Sequence, residues 1–291
     1  MKRTLAVADG RTVVVDDVGD PVGRPVVFLH GTPDSRRARH PDDTLAAAAG
    51  IRLLAVDRPG YGGTSPGPTG TPDDTVADVA AVLDERSLDH AAVLAWSGGA
   101  LAGLAAATSP LLADRITALH VVAGVVPRAA HDDADVRHAT DGRPSLLDMA
   151  DGLPPRELAE AVAALLAPQP CDHALALEHQ HDLRSPRDQA ALAAIPGALD
   201  RLAAALVEGV GRGLAGVEAD IEAQVSPFPL DRAKIPAPVR LWYGSADTVT
   251  PPIFGEWYVR QLPGASLHVI AGAGHYLPFT HWSLLLGALS G

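Results

Sequence analysis

Lysine is nearly absent from this 291-residue chain: Lys2 and Lys234 are the only two, and the remaining positive charge is arginine spread without a cluster. Acidic residues outnumber basic ones 35 to 23, a net charge of -12. A chain with no basic stripe lacks the electrostatic footprint of a nucleic-acid binder, and its negative charge is repelled by anionic membrane surfaces. Cysteine is reduced to Cys171. No intrachain disulfide can form, as in proteins kept in a reducing cytoplasm. There is no run of about 18 uncharged apolar residues, the length a membrane span requires. The N-terminal stretch MKRTLAVADG also lacks the apolar core of a secretion signal. The expectation is a cytoplasmic protein without nucleic-acid or membrane partners. With 47% hydrophobic residues, the chain carries enough apolar surface for one large core and a lid, and not the composition of a disordered protein.

Short apolar runs alternate with helical ones. Thr12 to Val18, Pro25 to His30, Ile51 to Val56, Ala91 to Ala95 and Ile116 to Val126 read as strands, several of them apolar throughout. Such runs suit a parallel sheet covered on both faces. Thr71-Pro-Asp-Asp74 has the form of a helix start, with a capping hydroxyl, proline in the first turn and acids at the positive helix end. Val76, Val79, Ala80 and Leu83 then fall on one helical face. Ala100 to Ala107 reads as a buried helix. From residue 127 to 233 no strand pattern appears. Leu158, Val162, Leu165 and Leu166 mark one helix there, and Leu202 to Val217 suggests another, loosened by glycines. Strand patterns return at Val239–Tyr243 and Ala265–Ile270, and a last helix starts near Pro278. The expected domains are an α/β core from 1–126 and 234–291 and a helical cap from 127–233.

The chemistry concentrates in Leu94-Ala95-Trp96-Ser97-Gly98-Gly99-Ala100. A strand runs straight into a helix with one serine at the junction, a turn that lifts the hydroxyl above the sheet edge. Small residues two before and two after, here Ala95 and Gly99, let the backbones pass. The same string also suits a plain Ser-Gly-Gly turn at a helix start. A serine hydroxyl needs a base. His275, in Ala271-Gly-Ala-Gly-His275 after the last strand, is the best placed of the 12 histidines, whereas His268 falls inside that strand as a packed core histidine. A histidine base needs an orienting acid, and Asp247 follows another strand in Gly244-Ser-Ala-Asp247. An oxyanion needs two donors. The Gly98 amide is one. The loop His30-Gly31-Thr32-Pro33 supplies the other at Thr32, because Pro33 has no N–H; the Thr32 hydroxyl is a third candidate. His30, Trp96 and Tyr276, with Tyr61, are candidates to line a substrate pocket.

These motifs together resemble the α/β-hydrolase fold superfamily, in its branch with a His-Gly-x-Pro loop and a cap. His30-Gly-Thr-Pro33, Asp57-Arg-Pro-Gly-Tyr-Gly62, the Ser97 turn, Gly244 to Asp247 and Gly274-His275 carry the resemblance, over about residues 10–126 and 235–290. It implies eight mostly parallel strands with helices on both faces, a cap entering after the sixth strand, and an Asp nucleophile in epoxide hydrolases and haloalkane dehalogenases where this chain has Ser97. Some relatives place the acid after strand six, but Val122 to Ala130 holds no carboxylate, which favours Asp247. The expected activity is cofactor-independent hydrolysis of a small-molecule ester, lactone or thioester through an acyl-enzyme. The alternatives are C–C bond hydrolysis or cyclisation by the same triad, and a ligand-binding protein that reuses the fold.

Four other features carry less. His131, Asp132, Asp133, Asp135 and His138 fit no compact zinc spacing, so no metal is expected. His179 and His181 do not share a helix face and are expected at the surface. Arg58 is expected to make a structural ion pair. Gly60, Gly62 and Gly63 are followed by no Lys-Ser/Thr, so they are not a phosphate loop.

Overall fold

The computed structural model describes residues 2–7, 9–140, 153–228, 235 and 237–290. Eight strands, β1 (Lys2–Ala6), β2 (Thr12–Gly19), β3 (Arg24–Leu29), β4 (Ile51–Val56), β5 (Ala91–Trp96), β6 (Ile116–Val122), β7 (Val239–Gly244) and β8 (Ser266–Ile270), form one sheet in the order β1-β2-β4-β3-β5-β6-β7-β8. β2 runs antiparallel to β1 and β4; the pairs from β4 onward are parallel. Every residue of β5 is buried, because helices cover both faces of the central strands. Period-2 alternation divides the strands between two cores. Val27, Leu29, Val93 and Ala95 face one; Val26, Phe28, Leu94 and Trp96 face the other.

Three helices follow the early strands: α1 (Thr44–Ala48), α2 (Pro72–Glu85) and α3 (Gly99–Thr108). In α2 the expected face is buried at Val76, Val79, Ala80 and Leu83. Burying Val79 and Leu83 stabilises by about 1.5–3 kcal/mol each. The expected side-chain cap by Thr71 is not made. Its hydroxyl meets Thr69 Oγ1 at 2.7 Å instead, and the Asp74 carboxylate accepts from the Thr69 and Gly70 amides.

Between β6 and β7 the described residues contain helices and no strand. These are α4 (Ala134–Thr140), α5 (Pro155–Leu166), α6 (His173–Leu183), α7 (Pro186–Ala193), α8 (Ala198–Val210) and α9 (Ala215–Val225). The single helix read over Leu202–Val217 is two, because Gly213 adopts a φ of 115°, outside the helical region. α5 and α9 share a small apolar core of Leu158, Val162, Ile221 and Val225, while Leu202 and Ala205 of α8 dock into the core beside the sheet. The expected boundary at 233/234 lies outside the described residues.

α10 (Pro252–Gln261), α11 (Leu277–Thr280) and α12 (Trp282–Ser290) are the last described helices, and the helix expected from Pro278 is broken at His281. His268 corrects the sequence reading. β8 ends the sheet, and His268 lies on its exposed side, stacked on Trp242 at 4.2 Å. A strand pattern does not reveal which strand is last in the sheet. No single described helix is long and apolar enough to cross a membrane.

Candidate active site

Ser97 leaves β5 with φ at +51°, a left-handed conformation that costs a non-glycine residue energy. The neighbours explain why the turn is made of small residues. A Cβ at Gly99 would stand 2.6 Å from the Leu29 carbonyl oxygen and 2.7 Å from that of His30. Ala95 faces Gly103 of α3, where a Cβ would come within 2.7 Å of the alanine methyl. Gly31 passes Ser97 as closely: a Cβ there would lie 3.1 Å from the serine Cβ.

The three residues read as nucleophile, base and acid come together although they lie far apart in sequence. His275 Nε2 is 3.0 Å from Ser97 Oγ, and His275 Nδ1 is 2.9 Å from Asp247 Oδ2. All three side chains are buried. Asp247 Oδ1 accepts from the amides of Val249 and Thr250 at 2.8 and 2.9 Å. Burial would raise the Asp247 carboxyl, but His275 and the Thr250 hydrogen bonds outweigh it and hold the group below its ordinary value. Burial would likewise depress the His275 imidazole. Asp247, with Asp188 and Asp34 behind it, outweighs that and raises the imidazole above its ordinary value. The base loop is fixed from two sides: the Trp96 indole donates to the His275 carbonyl oxygen at 3.1 Å, and the His275 amide donates to Asp188 Oδ1 at 3.1 Å.

Thr32 and Gly98 also meet. A Cβ at Gly98 would lie 3.3 Å from the Thr32 amide nitrogen. Among the described residues neither amide donates to another protein group, so both are free to receive an oxyanion. The third candidate donor does not hold: the Thr32 hydroxyl donates to Asp220 of α9. Asp220 also accepts from Arg58 and from the Tyr61 hydroxyl, the latter at 2.5 Å. Arg58 is thus the structural ion pair expected, with its partner on the inserted helices. Next along the loop, Arg36 is paired with Asp57 at 2.7 Å, Asp16 at 2.9 Å and Glu208 of α8 at 2.8 Å.

The pocket candidates separate. His30 is fully buried and structural: Nε2 accepts from the Arg58 amide at 3.1 Å, while Nδ1 lies 2.8 Å from the Gly31 carbonyl. Burial and Arg58 lower its basicity well below the ordinary value. Trp96 packs against the rings of His275 and Tyr276, and Tyr61 is spent on Asp220. Tyr276 is half-buried, with its ring 5.6 Å from that of His275. A cavity of about 310 Å³ reaches Gly98, bounded by Arg58, Leu101, Ala159 and Asp220. Among the described residues no three His, Cys, Asp or Glu side chains gather as metal ligands. Asp133 pairs with Arg260 at 2.8 Å and His131 packs on Phe254. His179, expected at the surface, is partly buried with Nε2 2.9 Å from the Leu166 carbonyl oxygen; His181 is exposed.

Five residues at the site escaped the sequence reading: Asp34, Thr250, Arg184, Asp188 and Asp220. Thr250 stands three residues after Asp247, within reach of a local side-chain bond. The other four carried no local signal.

The α/β-hydrolase fold family model matches residues 24–281. A non-heme chloroperoxidase of Streptomyces lividans is 31% identical over 167 residues, 56% of this chain and 54% of that protein. The chain aligns with about half or less of the length of such curated relatives. Among solved structures, an α/β-hydrolase fold protein from Nakamurella multipartita is 25% identical, with a TM-score of 0.65 over 99% of this chain and 98% of the other. The esterase RhEst1 from Rhodococcus sp. shares the fold at 19% identity, with a TM-score of 0.62 over 99% of each chain. With the family model covering nearly the whole chain and the eight-stranded sheet in place, the chain belongs to the α/β-hydrolase fold family of enzymes.

Proposed function

We propose that the protein hydrolyses a small carboxylic ester, lactone or thioester through an acyl-enzyme on Ser97. The observation that carries this reading is the unbroken hydrogen-bonded line Ser97–His275–Asp247, with the serine on a strained turn beside the Thr32 and Gly98 amides. His275 Nε2 accepts the Ser97 proton as the oxygen attacks the carbonyl carbon. Negative charge gathers on the carbonyl oxygen and is met by the two amides. The imidazolium stands against Asp247, which stays ionised, and gives its proton to the leaving alcohol or thiol. Water then enters; as His275 takes its proton, the water oxygen attacks the acyl carbon, and the bond to Ser97 Oγ breaks as His275 returns the proton to that oxygen, releasing the acid. Solved structures named as esterases share the fold on which this reaction is proposed. Ser97→Ala is expected to abolish turnover of short p-nitrophenyl esters and labelling by a fluorophosphonate probe; wild-type turnover in that variant would overturn the assignment.

A further inference from the structure

Arg184 and Asp34 lie near the site, and each carries a buried polar atom without a partner. Arg184 closes α6, just before the Ser185–Asp188 turn that holds the His275 amide. It is 7% exposed, and its Nε and Nη1 have no hydrogen-bond partner. No carboxylate lies within ion-pair distance of it among the described residues. Arg36 and Arg58, the other buried cations nearest the site, are both matched by carboxylates. Asp34 directly follows Thr32-Pro33. It is 5% exposed, and its Oδ1 likewise has no partner. A buried charge without a partner is costly to keep.

Arg184 approaches the proposed base through one aromatic ring, and Asp34 lies on the loop that carries Thr32. The Arg184 guanidinium carbon is 5.9 Å from the centre of the Tyr276 ring, which is 5.6 Å from the ring of His275 and 5.7 Å from that of Trp96. Asp34 feels the charges of both His275 and Arg184. The Tyr276 hydroxyl also makes no hydrogen bond with a described residue. A phenol beside the His275 ring, a guanidinium over that phenol and a carboxyl group on the Thr32 loop therefore have hydrogen-bonding capacity to spare. Asp188 is not available, since its oxygens are taken by the His275 amide and the Ser185 hydroxyl.

We propose that Arg184, Asp34 and Tyr276 form a subsite for a carboxylate on the acyl part of the substrate, so that the enzyme prefers half-esters of dicarboxylic acids. The proposal rests on the ester-hydrolase reading above. Arg184 supplies the charge-assisted donors that a carboxylate takes up in pairs. Burial pushes the Asp34 carboxyl up to about 7, so it can offer its own proton to a second carboxylate near neutrality. The Tyr276 hydroxyl, which burial keeps protonated, is the remaining donor.

The test compares p-nitrophenyl hydrogen glutarate with p-nitrophenyl pentanoate, of equal acyl length. The expected kcat/KM ratio in the wild type is tenfold or more in favour of the glutarate ester. Arg184→Gln is expected to lower that ratio at least tenfold, and Arg184→Lys to restore part of it. A ratio near one in a wild type that turns over both esters overturns the subsite. If neither ester is cleaved, the hydrolase reading fails, and thermal unfolding with free glutarate judges the subsite separately. A glutarate-dependent rise in Tm, lost in Arg184→Gln, supports it; no rise in the wild type overturns it.

Discussion

The Thr250 hydroxyl oxygen lies 2.8 Å from Asp247 Oδ2 and 3.1 Å from His275 Nδ1, and also 2.9 Å from the Ala123 carbonyl oxygen. One hydroxyl thus touches both partners of the acid–base pair and ties them to the end of β6. Its amide holds the other carboxylate oxygen. Asp247 is thereby fixed at both oxygens before it meets the imidazole, which is how an orienting acid sets the histidine tautomer. Thr250→Val keeps the shape and the amide and removes the hydroxyl. The expected result is a fall in kcat of about tenfold, the size of one hydrogen bond, with KM little changed, measured on a p-nitrophenyl ester. An unchanged kcat would mean that the two amides alone hold Asp247.

The pH profile follows from His275. Only the neutral imidazole accepts the Ser97 proton, and Asp247 holds the imidazole above its ordinary value of 6.5. Activity should therefore rise with pH through a midpoint above 6.5 and flatten on the alkaline side. Asp247→Asn removes the charge that raises the imidazole. The residual activity should then have its midpoint moved to lower pH, since burial remains as the opposing effect. A pH–rate profile of kcat/KM on both proteins checks the direction.

Asp34 gives a stability signature of opposite origin. Burial raises its carboxyl from 3.8 to about 7 in the folded protein. The folded state then favours the protonated form, so stability is greatest below about pH 4 as far as this group is concerned, and is lost as pH rises through 7. Asp34→Asn does not titrate. Its advantage over the wild type should be absent near pH 4, grow to pH 7 and level off above it, on the order of a few kcal/mol. Thermal melts at pH 5 and pH 8 measure the difference; an equal Tm shift at both would count against a buried titrating group.

Asp220 anchors the inserted helices to the loop that carries Thr32. The Arg58 side chain, 3% exposed, has its charge matched there. Asp220→Ala leaves that cation buried and alone, a loss of about 3–5 kcal/mol, to be read from urea unfolding. Asp220→Asn keeps an acceptor for Arg58 and Tyr61 and should cost less. Turnover should also fall in Asp220→Ala, because the Thr32 hydroxyl loses its acceptor and the neighbouring amide its fixed direction.

Gly99→Ala tests the tight turn directly. A methyl there would press on two backbone carbonyls, at 2.6 and 2.7 Å, which cannot move without pulling on β3. The expectation is a loss of about 1–3 kcal/mol from overpacking, accompanied by a drop in activity out of proportion to it. Circular dichroism melts and ester turnover on one preparation separate the two effects.

That Ser97, His275 and Asp247 meet was legible in the sequence because each sits in a short local pattern with a backbone reason: small residues around Ser97, glycines before His275, a strand end before Asp247. The sheet was legible because central strands are apolar throughout. Asp34, Arg184, Asp188 and Asp220 were not. Polar residues on helix surfaces and in loops look alike whether they face solvent or a neighbour, and only the docking of α7 and α9 turns two of these carboxylates inward. His268 was misplaced for a related reason, since strand order depends on long-range pairing. The Thr32 hydroxyl was over-assigned because nothing near it in sequence announces Asp220.

Two carboxylates from the helices between β6 and β7 reach the loops of the proposed site: Asp188 accepts from the His275 amide and Asp220 from the Thr32 hydroxyl. Replacing these helices with those of another family member would therefore change more than the walls of the pocket. Such a chimera would have a base and an oxyanion site each missing a tether. A graft that carries carboxylates equivalent to both should retain turnover while acquiring a new substrate range, and one that carries neither should bind without reacting.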